Sequence, residues 1–278
     1  MAKICIDPGH YGKYNRSPGI PEYYESEMVW KLSLLQKKYL EQMGHEVLLT
    51  RTDPSKDLAL LSRGKKSKGY DLFISNHSNA VGNYMNESRS NVAIYYLVED
   101  HTTNCDEISK EFAKKIGPVI AGAMGLTYQL HTRAAQSDRN GDGFKNDNYY
   151  GVLEGAHMVK TPAVILEHGF HTHAATVRWL LNDANLDRLA KAEAECINEF
   201  FGAPTKTEKP AEPAKDEEST YKVQVTITNL NIRKGPGVSF ARTGFIRPGT
   251  YTIVEEQSGW GRLKSGAGWI FLAYTKRI

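Results

Sequence analysis

Residues 203–220 (APTKTEKPAEPAKDEEST) run without a single large apolar side chain. Such a Pro-, Ala-, Lys- and Glu-rich stretch cannot repay the entropy of folding and reads as a semi-stiff linker. The 278 residues are thereby divided into two units, 1–202 and 221–278. The first is long enough to bury a core without disulfide staples. Apolar residues at 40% and charged residues at 24% exclude a wholly disordered or collagen-like chain. No run approaches the ~18 apolar residues of a membrane span. The opening residues MAKICIDPGH enter strand-like sequence directly, without the charged start, apolar stretch and cleavage site of a secretory signal. The expectation is synthesis in the cytoplasm, with release by another agent if the protein acts outside. Cys5, Cys105 and Cys196 have neither disulfide-framework nor zinc-ribbon spacing and are expected to be reduced, buried thiols.

The net charge of +3 is unevenly shared: residues 1–202 carry −2, the linker −2 and residues 221–278 carry +7. A basic module implies an anionic partner. Nucleic acid and a polyanionic cell surface are both candidates on charge alone, as is simple solubility. No recognition helix or zinc finger supports the nucleic-acid reading.

Within the first unit, strand-like runs at Lys3–Ile6, Glu46–Thr50, Leu72–Ser75, Val92–Leu97 and Ala163–Leu166 alternate with helical periodicity at 25–43, 104–124 and 185–201. This pattern predicts an α/β sheet with helices packed on its faces. Chemistry in such sheets gathers at the carboxyl ends of strands. Three runs lead there into titratable groups: Asp7-Pro8-Gly9-His10, Asn76-His77-Ser78-Asn79 and Glu167-His168. A further carboxylate comes from the first helix. Met28, Leu32, Leu35, Tyr39 and Met43 form an apolar stripe. At about 100° per residue, Glu25 lies within roughly 50° of its centre and Glu27 about 110° away. Glu25 therefore points towards the sheet, either as a functional carboxylate or as a stabiliser of the helix start. Two imidazoles and a carboxylate with a position left for water match a catalytic zinc site, although the long-range spacing alone is weak support.

The motifs IDPGH (6–10), GHEVLLTR (44–51), LLSR (60–63), DLFISNHSNA (71–80) and PAVILEHGF (162–170), with Glu25 opening the first helix, occur in one order. Residues 1–202 thereby resemble the zinc-dependent N-acetylmuramoyl-L-alanine amidases (amidase type 3 family), which strip peptide stems from peptidoglycan. The resemblance implies a mixed open sheet with helices on both faces. It implies one catalytic zinc ion held by His10, Glu25 and His77, with Glu167 as the catalytic carboxylate. Helical phase and family pattern select Glu25 independently. The chain departs from the family at GHYGKY (9–14), and at Asn76 and Ser78 beside the second imidazole. Asn79, Arg133 and His168 are candidates to hold substrate, against ordinary surface or structural roles.

Two other clusters have competing readings. His157, His168, His171 and His173 suggest either a second metal site or a polar loop after a strand. DRNGDG (138–143) opens like a calcium loop, but the closing bidentate position falls on Tyr149, which favours a surface turn.

Residues 221–278 are Gly-rich, β-branched and aromatic, with frequent turns, and predict a small all-β barrel. NLNIRKGPG (229–237), RPGT (247–250) and SGWGRLKSGAGWIFLAY (258–274) resemble the bacterial SH3-like (SH3b) family, which implies cell-wall binding. Trp260 and Trp269 fit either its core or a ligand platform.

The combined expectation is a monomeric peptidoglycan hydrolase with no nucleic-acid or membrane partner. It would be a phage endolysin released by a holin, or a bacterial enzyme of mother-cell lysis. A zinc peptidase cutting within the stem peptide and a non-catalytic wall-binding protein are the alternatives.

Overall fold

The structure is a computed structural model that describes residues 1–99, 103–141, 143, 145–202, 220–237, 240–257 and 259–278. The chain divides into two compact units, Met1–Thr207 and Glu208–Ile278. Apart from Thr220, the stretch 203–220 assigned to a linker lies outside the described residues, as does Asp142 of the calcium-like segment. Among the described residues no helix is long and apolar enough to cross a membrane.

The first unit runs β1 (Lys3–Pro8), α1 (Glu25–Gln42), β2 (Glu46–Leu49), α2 (Leu60–Lys65), β3 (Leu72–Asn79), β4 (Val92–Tyr96), α3 (Cys105–Met124), β5 (Tyr128–His131), α4 (Gly151–His157), β6 (Ala163–Phe170), α5 (Ala174–Leu180) and α6 (Asp183–Phe200). Its six strands form one mixed sheet in the order β2-β1-β3-β6-β4-β5. All neighbours are parallel except β4 against β6.

Strand alternation sorts the side chains into two layers. Ile4, Ile6, Leu72, Ile74, Val164, Leu166 and Ile94 join the larger core with α1, α3 and α6. Cys5, Phe73, Ala163 and Ile165 join a smaller core with Val152, Leu153 and Ala156 of α4. The pairing of α4 with α2 is close enough that a Cβ at Gly64 would stand 2.1 Å from the Val152 carbonyl oxygen. All three cysteines are buried, and none of them forms a disulfide.

β3 and β6 extend past their apolar runs, to Asn79 and Phe170. His77 and Glu167 therefore sit inside paired strands, not in loops after them. The buried line along α1 is also rotated from the predicted stripe, running through Glu25, Val29, Leu32, Gln36 and Leu40. Ser33 and Gln36 are polar yet buried, which hid this face from a hydrophobicity reading.

The second unit comprises β7 (Tyr221–Val225), β8 (Leu230–Arg233), β9 (Arg242–Ile246), β10 (Gly249–Gln257), β11 (Trp260–Leu263), β12 (Trp269–Phe271) and β13 (Thr275–Arg277). They form an antiparallel sheet of order β13-β7-β10-β11-β12-β8-β9. Val223, Val225, Leu230, Ile232, Ile253, Leu263 and Ile270 make its core. Trp260 and Trp269 are each only 8% exposed.

Candidate metal centre

Pro8 ends β1, and the chain turns through Gly9 to His10, which adopts a left-handed conformation at φ 57°. A residue other than glycine is strained there and persists only where its surroundings hold it. Arg63 provides that hold. Its guanidinium, 2% exposed, donates to the Pro8 carbonyl at 3.2 Å and to the His10 carbonyl at 3.1 Å.

The following loop caps α1. Tyr24 at the N-cap offers no side-chain bond. Instead Glu25 N–H donates to Asn15 O at 3.0 Å, and Ser26 Oγ donates to Gly12 O at 2.8 Å. The loop that carries His10 is thus fastened to the helix that carries Glu25.

Glu25 is 1% exposed and gathers several partners. Its Oε1 lies 2.9 Å from His77 Nδ1 and 3.3 Å from His10 Nε2, and accepts from Ser78 N–H at 2.9 Å. Asn15 Nδ2 donates to Oε2 at 2.7 Å and stands 3.1 Å from His10 Nε2. Burial by itself would raise the Glu25 carboxyl; the hydrogen bonds and charge of His10 and His77 outweigh it and hold the group well below the usual carboxylate range.

Glu167 is the register partner of His77 across the parallel β3–β6 pair, so the two side chains share a face. Burial, then the nearby charge of Glu25, pushes the Glu167 carboxyl well above its ordinary value. Its Oε2 is buried without a hydrogen-bond partner. An orphaned acceptor of that kind is costly unless a proton, water or ligand meets it.

The donor atoms of His10, Glu25 and His77 all lie within 4.8 Å of one another, and theirs is the group of at least three such donors among the described residues. Two imidazoles and one carboxylate form the donor set of a catalytic zinc site that leaves a position open. The residues therefore fit such an ion, and the unpartnered Glu167 oxygen gives the open side an acceptor.

The three substrate candidates fall in different places. Arg133 is exposed, with its guanidinium 3.5 Å above the Tyr149 ring. Asn79 is half-buried at the end of β3, where its Oδ1 accepts from Ala80 N–H at 2.8 Å. His168 is corrected: strand parity turns it to the opposite face from Glu167, where it is fully buried. Its Nδ1 lies 3.0 Å from His77 O and its Nε2 lies 2.8 Å from Glu193 Oε1, so the ring is structural.

The histidines after β6 do not gather into a second cluster. His171 is buried in the first turn past the strand, with Nδ1 3.0 Å from Ser78 O and 3.8 Å from Glu25 Oε2. Burial lowers its pKa, with the charge of Glu25 opposing. His173 caps α5 by accepting from Thr176 N–H at 3.2 Å.

Asn15 and Ser75 are not singled out in the sequence analysis, where Ser78 stands only as a departure from the family and His171 only in the histidine cluster. Ser75 was legible, because a residue two before His77 in a strand shares its face. Asn15 and His171 depend on loop conformations that carry no periodic signal.

A family model described as N-acetylmuramoyl-L-alanine amidase matches residues 4–199. The catalytic domain of CwlV, an N-acetylmuramoyl-L-alanine amidase from Bacillus (Paenibacillus) polymyxa var. colistinus, is similar with TM-score 0.57 and 24% identity, over 73% of this chain and 99% of that one. Cwp6 from Clostridium difficile is similar with TM-score 0.59 and 25% identity, over 72% of this chain and 29% of that one. The N-acetylmuramoyl-L-alanine amidase AmiC2 of Nostoc punctiforme matches with TM-score 0.56 and 20% identity, over 72% of this chain and 97% of that one. Comparison with curated protein sequences gave no match.

Proposed function

The chain belongs to the N-acetylmuramoyl-L-alanine amidase family over residues 4–199, and on that premise we propose that it cleaves the amide between the lactyl group of N-acetylmuramic acid and L-alanine with one zinc ion held by His10, Glu25 and His77. The observation that carries this reading is the convergence of those three donors within 4.8 Å beside the unpartnered Glu167 oxygen. A zinc ion bound there supplies Lewis acidity, polarising the scissile carbonyl and bringing the pKa of water to about 7.

Glu167 carries the proton traffic. Its carboxylate takes a proton from the attacking water as the new carbon–oxygen bond forms. It returns that proton to the amide nitrogen as the carbon–nitrogen bond breaks. The same carboxyl thus acts as base in the first half and as acid in the second. Glu25 serves the opposite purpose, remaining anionic between two imidazoles. Arg133, exposed above the Tyr149 ring, is assigned to an anionic group of the stem peptide.

The second unit is assigned as an SH3-like (SH3b) wall-binding module. The +7 charge of residues 221–278 suits an anionic wall. A cavity of about 680 Å³ in this unit, lined among others by Ile227, Asn229, Arg233, Trp260, Phe271 and Tyr274, offers aromatic faces beside polar donors. Joining it to the amidase unit raises the local substrate concentration without new catalytic contacts. This pairing supports a lytic role as a phage endolysin that is made in the cytoplasm and acts on the wall after release.

Product analysis tests the amidase reading. Digested peptidoglycan gains free L-alanine amino termini while the glycan keeps its lactyl carboxylates; release of amino acids from within the stem would instead indicate a peptidase. Removal of residues 221–278 is expected to weaken pelleting with cell walls more than turnover of soluble muropeptides. Equal pelleting by both proteins would contradict the wall-binding assignment.

A further inference from the structure

Between β1 and β3 runs a buried chain of hydrogen bonds that begins at His77 and ends at Arg63. His77 Nε2 lies 3.1 Å from Ser75 Oγ. Ser75 Oγ donates to Asp7 Oδ2 at 2.8 Å. Asp7 Oδ1 accepts from Thr50 Oγ1 at 2.5 Å and from Arg63 Nη1 at 3.4 Å. Asp7, Ser75 and Thr50 are fully buried and Arg63 is 2% exposed.

We infer that Ser75, backed by Asp7 and Arg63, is a positioning residue that decides which nitrogen His77 offers to the metal. This rests on the reading that His77 is a ligand. The argument is a count of hydrogens. A carboxylate only accepts, so the single hydroxyl hydrogen of Ser75 is committed to Asp7. Ser75 Oγ then faces His77 as an acceptor, and Nε2 must carry the hydrogen between them. Nδ1 is the nitrogen left for the metal: it faces Glu25 Oε1 at 2.9 Å, and zinc takes the place of the hydrogen it shares with that carboxylate. Imidazole ligands are commonly fixed through the hydrogen on their other ring nitrogen, and loss of that partner typically costs 10–100-fold in metal affinity.

Gly9 closes the same edge of the ring from another side. A Cβ at Gly9 would stand 2.4 Å from His77 Cε1 and 2.6 Å from Nε2. The Nε2 edge is thus packed between Gly9 and Ser75, while Nδ1 faces the Glu25 cluster. Arg63 extends the device to the other imidazole, since the guanidinium that pairs with Asp7 also holds the His10 carbonyl.

Nitrogen-15 spectra of the histidine rings in the full chain, with His77 assigned by its loss in His77→Gln, read the tautomer directly. Nε2 is expected to keep its hydrogen both without metal and with zinc, while the Nδ1 resonance moves on zinc addition. A bare or zinc-bound Nε2 would overturn the proposal. Zinc affinity, measured by competition with a chromophoric chelator, is expected to fall 10–100-fold in Ser75→Ala. Asp7→Asn is expected to lose at least as much, because its amide can donate to Ser75 and turn the hydroxyl hydrogen towards Nε2. Unchanged affinity in Ser75→Ala would also overturn it. If the wild-type chain bound no zinc, the metal reading would fail by itself, and the metal-free spectrum would still judge the tautomer.

Discussion

The two faces of β3 and β6 bury polar groups in different ways. On the face covered by α1 and α6 the circuit closes. Asn76 Nδ2 donates to Ser33 Oγ at 2.9 Å and to Gln36 Oε1 at 2.6 Å, Gln36 Nε2 donates to Glu193 Oε2 at 2.6 Å, and Glu193 Oε1 meets His168 Nε2 at 2.8 Å. On the other face the circuit through Asp7, Ser75 and His77 stops at Glu25, and Glu167 Oε2 next door has no partner. A satisfied network stiffens a core and specifies its packing. An unfinished one beside partly exposed imidazoles, 25% at His10 and 18% at His77, is where a ligand can complete it. His77 and His168 stand at adjacent strand positions with opposite parity, and that parity separates a candidate ligand from a structural ring.

Variants on either face put this contrast at risk. Glu167→Gln keeps the shape of the unfinished side but removes the carboxylate proposed to carry the proton. The expected result is a loss of ~10²–10⁴-fold in muropeptide release with the zinc content unchanged. Near-normal hydrolysis would remove Glu167 from its role. Gly9→Ala pushes a methyl group into the His77 ring and the Asn76 carbonyl. A displacement on the scale of 1 Å near reacting groups costs on the order of 100-fold, to be read in kcat/KM on soluble muropeptides.

The closed face should respond in stability instead. His168→Gln breaks the fully buried contact with Glu193, and removing one partner of a buried hydrogen bond costs about 1–3 kcal/mol. Urea unfolding should show that loss while kcat/KM of the folded enzyme stays at the wild-type value; a selective loss of activity would place His168 in the site after all. Arg133→Gln carries the smallest expectation, a rise in KM of a few fold with kcat held, since an exposed charged contact contributes little.

The sequence exposed one side of this contrast more clearly than the other. The apolar runs of β1, β2, β3, β4 and β6 and the long helices α1, α3 and α6 were readable because burial there is carried by hydrophobic side chains. β5 was not: Tyr128–His131 is four residues long and exposed or half-buried throughout. The short helices α2, α4 and α5 offer too few turns for periodicity, and α4 includes Gly151 and Gly155. Strand ends, helix phase and ordered motifs point to His10, Glu25, His77 and Glu167, and the structure brings the donor atoms of the first three within 4.8 Å of one another. Their supports were harder to see, because Ser75, Asn76 and Gln36 are polar residues buried through hydrogen bonds formed between elements far apart in sequence. His168 was misplaced by counting it as a neighbour of Glu167 when consecutive strand residues face opposite ways.

Metal analysis of the full-length protein, coupled to wall hydrolysis before and after chelation, bears most directly on the central claim. One zinc ion per chain is expected, with hydrolysis abolished by its removal and restored by its return, and with zinc absent from His77→Ala. Full hydrolysis by the stripped protein, or undiminished zinc in His77→Ala, would contradict the account.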